Sequence, residues 1–271
     1  MPKTILITGA SSGIGKTTAQ HFHEEGWNVV ATMRSPDQET ELTALDNVLV
    51  TRLDVLDSAS ITSAIAAGIE RFGGIDVLVN NAGIAVYGPL EATPVEQLRR
   101  QFDVNVIGLL ETTKAILPHF RAKRDGIIIN ISSISGKMTF PLGTSYHGSK
   151  FAVEGLSESL HFELEPIGVK VKIVEPGMTK TPFGQRSVEL SNDESLEEYQ
   201  SLIAKVFGLF ESMLPHSSEP RVVSSVIFRA ATDGTTQLRY TSGDDAEEIL
   251  ANRKAADDAT FLAGVKAQFG L

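Results

Sequence analysis

The 271-residue chain contains no cysteine. Disulfides, thiol nucleophiles and thiolate metal sites are therefore excluded, which fits a reducing compartment. Long apolar runs are missing too: no stretch of about 18 apolar residues occurs, and the run near the start is too short for a secretory signal. The chain is read as cytoplasmic, with no membrane partner. Cations are scarce. Lys and Arg total 24 against 34 Asp and Glu, a formal net charge of -10, which argues against nonspecific binding to nucleic acid or an anionic bilayer. Any phosphate-bearing ligand must then be held by a local field that opposes the global one. The six histidines are scattered, and His21 with His23 is too sparse a pair to hold an ion, so no metal site is expected.

What the chain does have is material for a core, with 42% hydrophobic and 21% charged residues, the balance of a globular protein. Short apolar runs bounded by turn residues recur at 4–7, 28–33, 48–53, 75–79, 126–131 and 169–174, with a last candidate at 237–241. They read as buried strands. Between them lie segments with helical spacing, such as Ile61, Ile65, Ile69 and Phe72, or Ala152, Leu156, Leu160 and Leu164. This alternation predicts an α/β, Rossmann-type, doubly wound parallel sheet of about seven strands, with right-handed crossovers and helices on both faces. No repeat or linker divides residues 1–271, which are read as one domain. At 178–215 the pattern changes to acids and then an amphipathic stretch, expected to be a helical insertion that folds over substrate. From about residue 244 one or two short helices with a mostly polar face are expected.

Directly after the first strand comes Thr8-Gly9-Ala10-Ser11-Ser12-Gly13-Ile14-Gly15-Lys16-Thr17. Glycines there let backbone N–H groups approach a pyrophosphate, and the helix that follows turns its positive end towards it. The same residues fit a loose P-loop pattern, in which Lys16 and Thr17 would hold nucleoside phosphates and magnesium. Against that rival, Ala10 stands where the first glycine belongs, and Asn80-Asn81-Ala82-Gly83 rather than a magnesium-binding acid follows the fourth strand. At the end of the second strand, Met33-Arg34-Ser35 offers no carboxylate for an adenine ribose, whereas the planar fork of Arg34 suits a phosphate. NADP(H) is the expected cofactor, with NAD(H) possible.

Tyr146 and Lys150 stand four residues apart. On a helix they share a face, so the ammonium sits beside the phenol and draws its pKa down from about 10 towards neutrality. The pair reads as a general acid/base. His147, its neighbour, should point about 100 degrees away and is read as structural or solvent-facing.

Taken in order, the Thr8 to Gly15 loop, Asn80-Asn81-Ala82-Gly83, Asn105, Ser132-Ser133, Tyr146 with Lys150, and Pro176-Gly177 resemble the short-chain dehydrogenase/reductase family over nearly the full chain. Within it the chain is similar to the hydroxysteroid and retinol dehydrogenase branch and to bacterial carbonyl reductases. The resemblance implies that Tyr146 is the acid/base, that Lys150 lowers its pKa and binds the nicotinamide ribose, that Ser133 orients the carbonyl, and that Asn105 helps carry a proton relay. It also implies cofactor contacts from Gly9, Ser11, Ser12, Gly13, Ile14 and Gly15, from Asp54 and Val55 at the adenine, and from Asn81, Ala82 and Gly83. Pro176, Gly177, Thr179 and Thr181 are placed at the nicotinamide end. Ser133 lies at the carboxyl end of a parallel strand, where ligands bind, and its hydroxyl with the phenol would donate to one developing alkoxide. Glu175 receives no role. Val86, Tyr87, Met138, Phe140, Leu142, Met178 and Phe183, with Val206, Phe207, Phe210 and Met213 of the insertion, are expected to line an apolar pocket for a hydrophobic ketone or secondary alcohol. Family resemblance further implies a homodimer or homotetramer. The alternatives are a catalytically silent nucleotide sensor on the same fold and the P-loop hydrolase.

Overall fold

Alternate side chains of the first strand set the layers of the molecule. In the computed structural model, which describes residues 2–271, Ile5 and Ile7 of β1 (Thr4–Ile7) enter one buried cluster and Leu6 enters another. A strand buried on both faces needs apolar residues at every position, and β2 (Asn28–Met33) and β4 (Val77–Asn80) are likewise buried throughout. With β3 (Val48–Arg52), β6 (Gly126–Ile131), β7 (Val169–Pro176) and β9 (Arg239–Ser242) they form one parallel sheet in the order β3-β2-β1-β4-β6-β7-β9. On one face α1 (Gly13–Glu24) packs beside α8 (Pro220–Thr232), burying Phe22, Val223 and Ile227. The other face carries α2 (Ser58–Phe72), α4 (Gly108–Lys123) and α5 (Thr144–Leu164), burying Ile61, Ile116, Phe120 and Leu164.

The chain winds outward from β1 to β3, then returns to place β4 on the other side of β1. The carboxyl ends of β1 and β4 therefore part at a topological switch point, where ligands bind in open α/β sheets. A buried polar ladder ties the neighbouring strands to the helices beneath: Asn80 Nδ2 donates to Asn130 Oδ1 (2.9 Å) and Thr113 Oγ1 (3.0 Å), and Asn130 Nδ2 donates to Ser157 Oγ (2.8 Å). Among the described residues no helix is long and apolar enough to cross a membrane.

The sheet follows the sequence expectation with small shifts, β4 starting at Val77 and β9 running to Ser242. Two features differ. A second sheet of two parallel strands joins β5 (Ala85–Tyr87) to β8 (Val188–Leu190). Three-residue strands are too short to show a period, so nothing in the sequence announces them. The C-terminal helices α9 (Asp244–Ala255) and α10 (Asp258–Phe269) are not merely polar: Phe269 and Val265 pack on the insertion helix α7 (Glu197–Met213). The remaining helices are α3 (Val95–Phe102) and the single turn α6 (Phe183–Arg186).

Candidate active site

The glycine loop is built for close backbone approach. Gly9 and Gly13 adopt φ of 69° and 54°, the left-handed region that glycine enters without penalty. A side chain at Gly15 would run into the Gly9 carbonyl and the Asn81 amide. Asn81 braces the loop from the β4 side, its Nδ2 donating to the carbonyls of Thr8 (2.9 Å) and Gly9 (3.1 Å). Thr8 Oγ1 in turn accepts from the N–H groups of Asn81 and Ala82, both at 3.0 Å. Ser12 is the N-cap of α1 yet makes no capping hydrogen bond, and no acid stands in the first turn. The orphan N–H groups and the positive helix end are thus left for an anion, and these residues fit a pyrophosphate. Ser11 flanks that end, while Ile14 turns into the core. From beyond β7, Thr181 stands against Gly13, and Thr179 Oγ1 donates to the Gly177 carbonyl (3.2 Å). Pro176 ends β7, and Gly177 N–H donates to the Ser242 carbonyl (3.0 Å).

Lys16 settles the P-loop alternative. Its Nζ lies 3.0 Å from Glu41 and 3.3 Å from Glu39, in the segment after β2. A phosphate-binding lysine must be free to meet its ligand; this one is committed to two carboxylates, and the reading falls. Arg34, just past the end of β2, is exposed. Asp54 follows β3 and accepts from the Leu56 N–H (3.0 Å), and Val55 is buried against Gly108.

The chemistry-bearing residues gather at the carboxyl end of β6 and the start of α5. Ser133 Oγ accepts from the Ser135 N–H (3.1 Å), which leaves its own hydrogen to donate, and it meets the Tyr146 phenol. Burial raises the phenol above its ordinary value, and the Ser133 hydroxyl pulls the other way. One turn along α5, Lys150 places Nζ 5.9 Å from the centre of the Tyr146 ring and donates to the Ile131 carbonyl (2.9 Å). Burial lowers this ammonium to about 8, opposed by the charge of Glu154 a further turn on. The expectation that Lys150 already acidifies the phenol is not met: the ammonium is turned towards the backbone, and burial weakens its own charge.

Asn105 lies in a π-helical turn, Asp103–Ile107, that joins α3 to α4; such turns often mark functional sites. Its Oδ1 accepts from the Ile84 N–H (2.9 Å), and Nδ2 donates to the Ile84 carbonyl (2.9 Å) and Ser149 Oγ (3.1 Å). Gly83 approaches the same amide. Gln101, which no sequence signal marks, repeats the pattern, accepting from the Val86 N–H (2.7 Å) and donating to the Ile84 carbonyl (2.9 Å). Both amides hold the strand that carries Tyr87 against α5.

Behind Lys150 lies a buried charge cluster. Arg239 Nε donates to Glu154 Oε2 (2.9 Å) and lies 3.7 Å from Glu175 Oε1, its other arm reaching Glu158. Thr241 Oγ1 donates to Glu175 (3.3 Å). Burial, then the Glu154 charge, pushes Glu175 up to about 7. Glu175 thus belongs to this cluster.

His147 is buried and structural. Nε2 accepts from the Phe140 N–H (3.2 Å) and Nδ1 donates to the Ser135 carbonyl (3.1 Å). Only the neutral ring with its hydrogen on Nδ1 can do both, and burial lowers its pKa in keeping with that state. The ring pins the loop between Ser133 and α5 at two points. Gly148 meets Phe102 of α3, the close packing that suits a glycine there.

Beside Tyr146 stands an apolar wall. Phe140, Leu142, Val206, Phe207 and Phe210 cluster with Leu202, Val265 and Phe269. Tyr87 joins it, stacked on Phe140 at 6.1 Å and edge-on to Phe210 at 5.9 Å. Six of the expected pocket residues, Tyr87 included, therefore meet in this cluster. Val86 does not: it is buried on the other side of β5 from Tyr87. Phe269 was not expected, because it comes from the far end of the chain.

Residues 3–191 match the family described as short chain dehydrogenase. An uncharacterized oxidoreductase of Schizosaccharomyces pombe is 49% identical over 242 residues, covering 88% of this chain and 100% of its own. A short-chain dehydrogenase from Streptomyces avermitilis superposes with a TM-score of 0.85 at 33% identity, over 99% of this chain and 98% of its own. ElxO, solved with NADP bound, superposes with a TM-score of 0.73 at 29% identity, over 89% of this chain and 98% of its own. The chain belongs to the short-chain dehydrogenase family and is an oxidoreductase of that family.

Proposed function

We propose that the protein is an NADP(H)-dependent reductase of hydrophobic ketones, running in reverse as a secondary alcohol dehydrogenase. The observation that carries this reading is the grouping of Tyr146 and, one turn on, Lys150, whose Nζ lies 5.9 Å from the Tyr146 ring, beside Ser133 at the carboxyl end of β6 and under the aromatic rings of Phe140 and Phe210. When bound, the nicotinamide supplies or takes the hydride. Ser133 Oγ donates a hydrogen bond to the carbonyl oxygen, and Tyr146 gives that oxygen its proton, so that charge developing there is met by two donors. Lys150 is assigned to the ribose and to support of the phenolate. Insertion helix α7 and α10 act as a lid that excludes water and favours apolar substrates.

Preference for NADP(H) is supported by Arg34 and by the absence of a carboxylate at the end of β2. Lys16 reinforces it by occupying Glu39 and Glu41, the acids that would otherwise repel a phosphate. ElxO, with NADP bound, has the same fold. Exposed Phe102, Ile107, Phe151 and Phe162 on and beside α3, α4 and α5 support self-association through this face, which light scattering measures directly. The reading is tested by mixing the protein with NADPH and a panel of hydrophobic ketones and following reduced-nicotinamide absorbance. Oxidation of NADPH that depends on the ketone is expected. Tight NADPH binding with no turnover of any ketone or alcohol would transfer the protein to the sensor class.

A further inference from the structure

The four tyrosines of the chain divide by what their hydroxyls do. Tyr240 is bonded to Asp233 (2.6 Å) and Lys172 (2.9 Å), and Tyr199 to Glu91 (3.1 Å). Tyr146 lies beside Ser133; its hydroxyl makes no further side-chain bond among the described residues and is the group that the proposed reaction assigns to the substrate. Among the described residues Tyr87 makes no hydrogen bond through its hydroxyl; burial and the nearby Tyr146 phenol are what act on it. Tyr87 is half-buried, so its hydroxyl is left to bond water or a ligand in the cleft.

Its position is fixed. β5 pairs with β8 on one side, and the Val86 N–H and the Ile84 carbonyl are held by Gln101 on the other. The Tyr87 ring centre lies 5.5 Å from that of Tyr146, tilted at 47°. Phe140 and Phe210 flank the ring, so the phenol offers a polar tip among aromatic rings beside Tyr146. A donor and acceptor beside Tyr146 leaves a plain ketone facing an unpaired hydroxyl and rewards a substrate that supplies a partner. Aromatic flanks make a carboxylate an expensive partner and a neutral oxygen a cheap one.

We propose that Tyr87 is a specificity-determining residue that hydrogen-bonds a second, neutral oxygen of the substrate. The preferred substrates are then ketones with a hydroxyl or second carbonyl one or two carbons from the reacting carbonyl, on an otherwise apolar chain. This rests on the ketone-reductase reading above.

The test compares 2-nonanone, 1-hydroxy-2-nonanone and 4-hydroxy-2-nonanone as substrates of the wild type and Tyr87→Phe, which keeps the ring and its packing. Tyr87→Phe is expected to lower kcat/KM for a hydroxyketone by about tenfold relative to its effect on 2-nonanone. Equal losses on all three ketones, or no loss on any, would overturn the assignment. Calorimetric titration with 1,2-nonanediol gives a readout free of turnover: weaker binding to the variant supports the assignment, and equal binding overturns it. If no ketone is reduced by the wild type, the reductase reading fails by itself, and the diol titration alone decides the role of Tyr87.

Discussion

The side chains of Ser133 and Lys150 are held by hydrogen bonds at the carboxyl end of β6, whereas those of Phe207, Phe210 and Phe269 above them are held by apolar contact. In the floor, Lys150 is anchored on the Ile131 carbonyl of β6, Asn105 ties Ile84 to Ser149, and His147 pins the intervening loop at two points. In the roof, α7 leans on α10 through apolar rings and one bond from Lys205 Nζ to the Gly270 carbonyl (2.6 Å). Directional bonds fix a reacting geometry to fractions of an ångström, while dispersion and burial fix only a volume. The floor is therefore suited to chemistry and the roof to accommodating a class of apolar shapes.

The sharpest way to break this division is at the phenol. Tyr146→Phe removes a hydroxyl and nothing of the packing, so kcat is expected to fall by about 10²–10⁴ while calorimetric affinity for NADPH stays nearly unchanged. Near-normal turnover would move the acid/base elsewhere. At the adenine end of the floor, Arg34→Glu is expected to weaken NADPH by about 10- to 100-fold and NADH far less; equal losses in binding titrations would remove the phosphate assignment.

The roof should answer to different measurements. Phe269 is buried against Val206 and Phe140, far in sequence from every catalytic residue. Phe269→Ala removes roughly 2 kcal/mol of apolar burial from the lid and none from the sheet. KM for long-chain ketones is expected to rise by about tenfold, with kcat and the activity on a short ketone retained. A fall in kcat on both would mean that roof and floor act as one unit.

The same contrast explains what was legible in the sequence. Tyr146 and Lys150 stand on one helix, and Gly9, Gly13 and Gly15 in one loop, so short-range spacing carries their meaning, and the strands buried on both faces announce themselves by composition. The β5 and β8 pair is too short to carry a period. Phe269 reads as one aromatic in a polar tail until the fold brings it over Phe140. Lys16 fits a P-loop by spacing, and only the folded path of Glu39 and Glu41 shows it to be engaged. Spacing places Lys150 beside Tyr146 but cannot show that burial raises the phenol while the ammonium is bonded to the Ile131 carbonyl.

The smallest effect concerns how the floor is coupled to the sheet edge. Glu154 opposes the burial that brings Lys150 to about 8, and Arg239 of β9 fixes Glu154 in place. Below that value the ammonium is charged and above it the charge is lost, and with it the support that the proposed mechanism assigns to Lys150. Reductive kcat/KM is therefore expected to fall as pH rises through about 8. Glu154→Gln keeps the shape and an acceptor for Arg239 but deletes the opposing charge, so the fall should begin at lower pH, by less than about one unit. At neutral pH the variant would then lose no more than a few-fold in rate, and the rate recovers as the pH is lowered. pH–rate profiles of the two proteins measure this, and an unmoved inflection would show that the buried carboxylates behind α5 serve the packing of β9 alone.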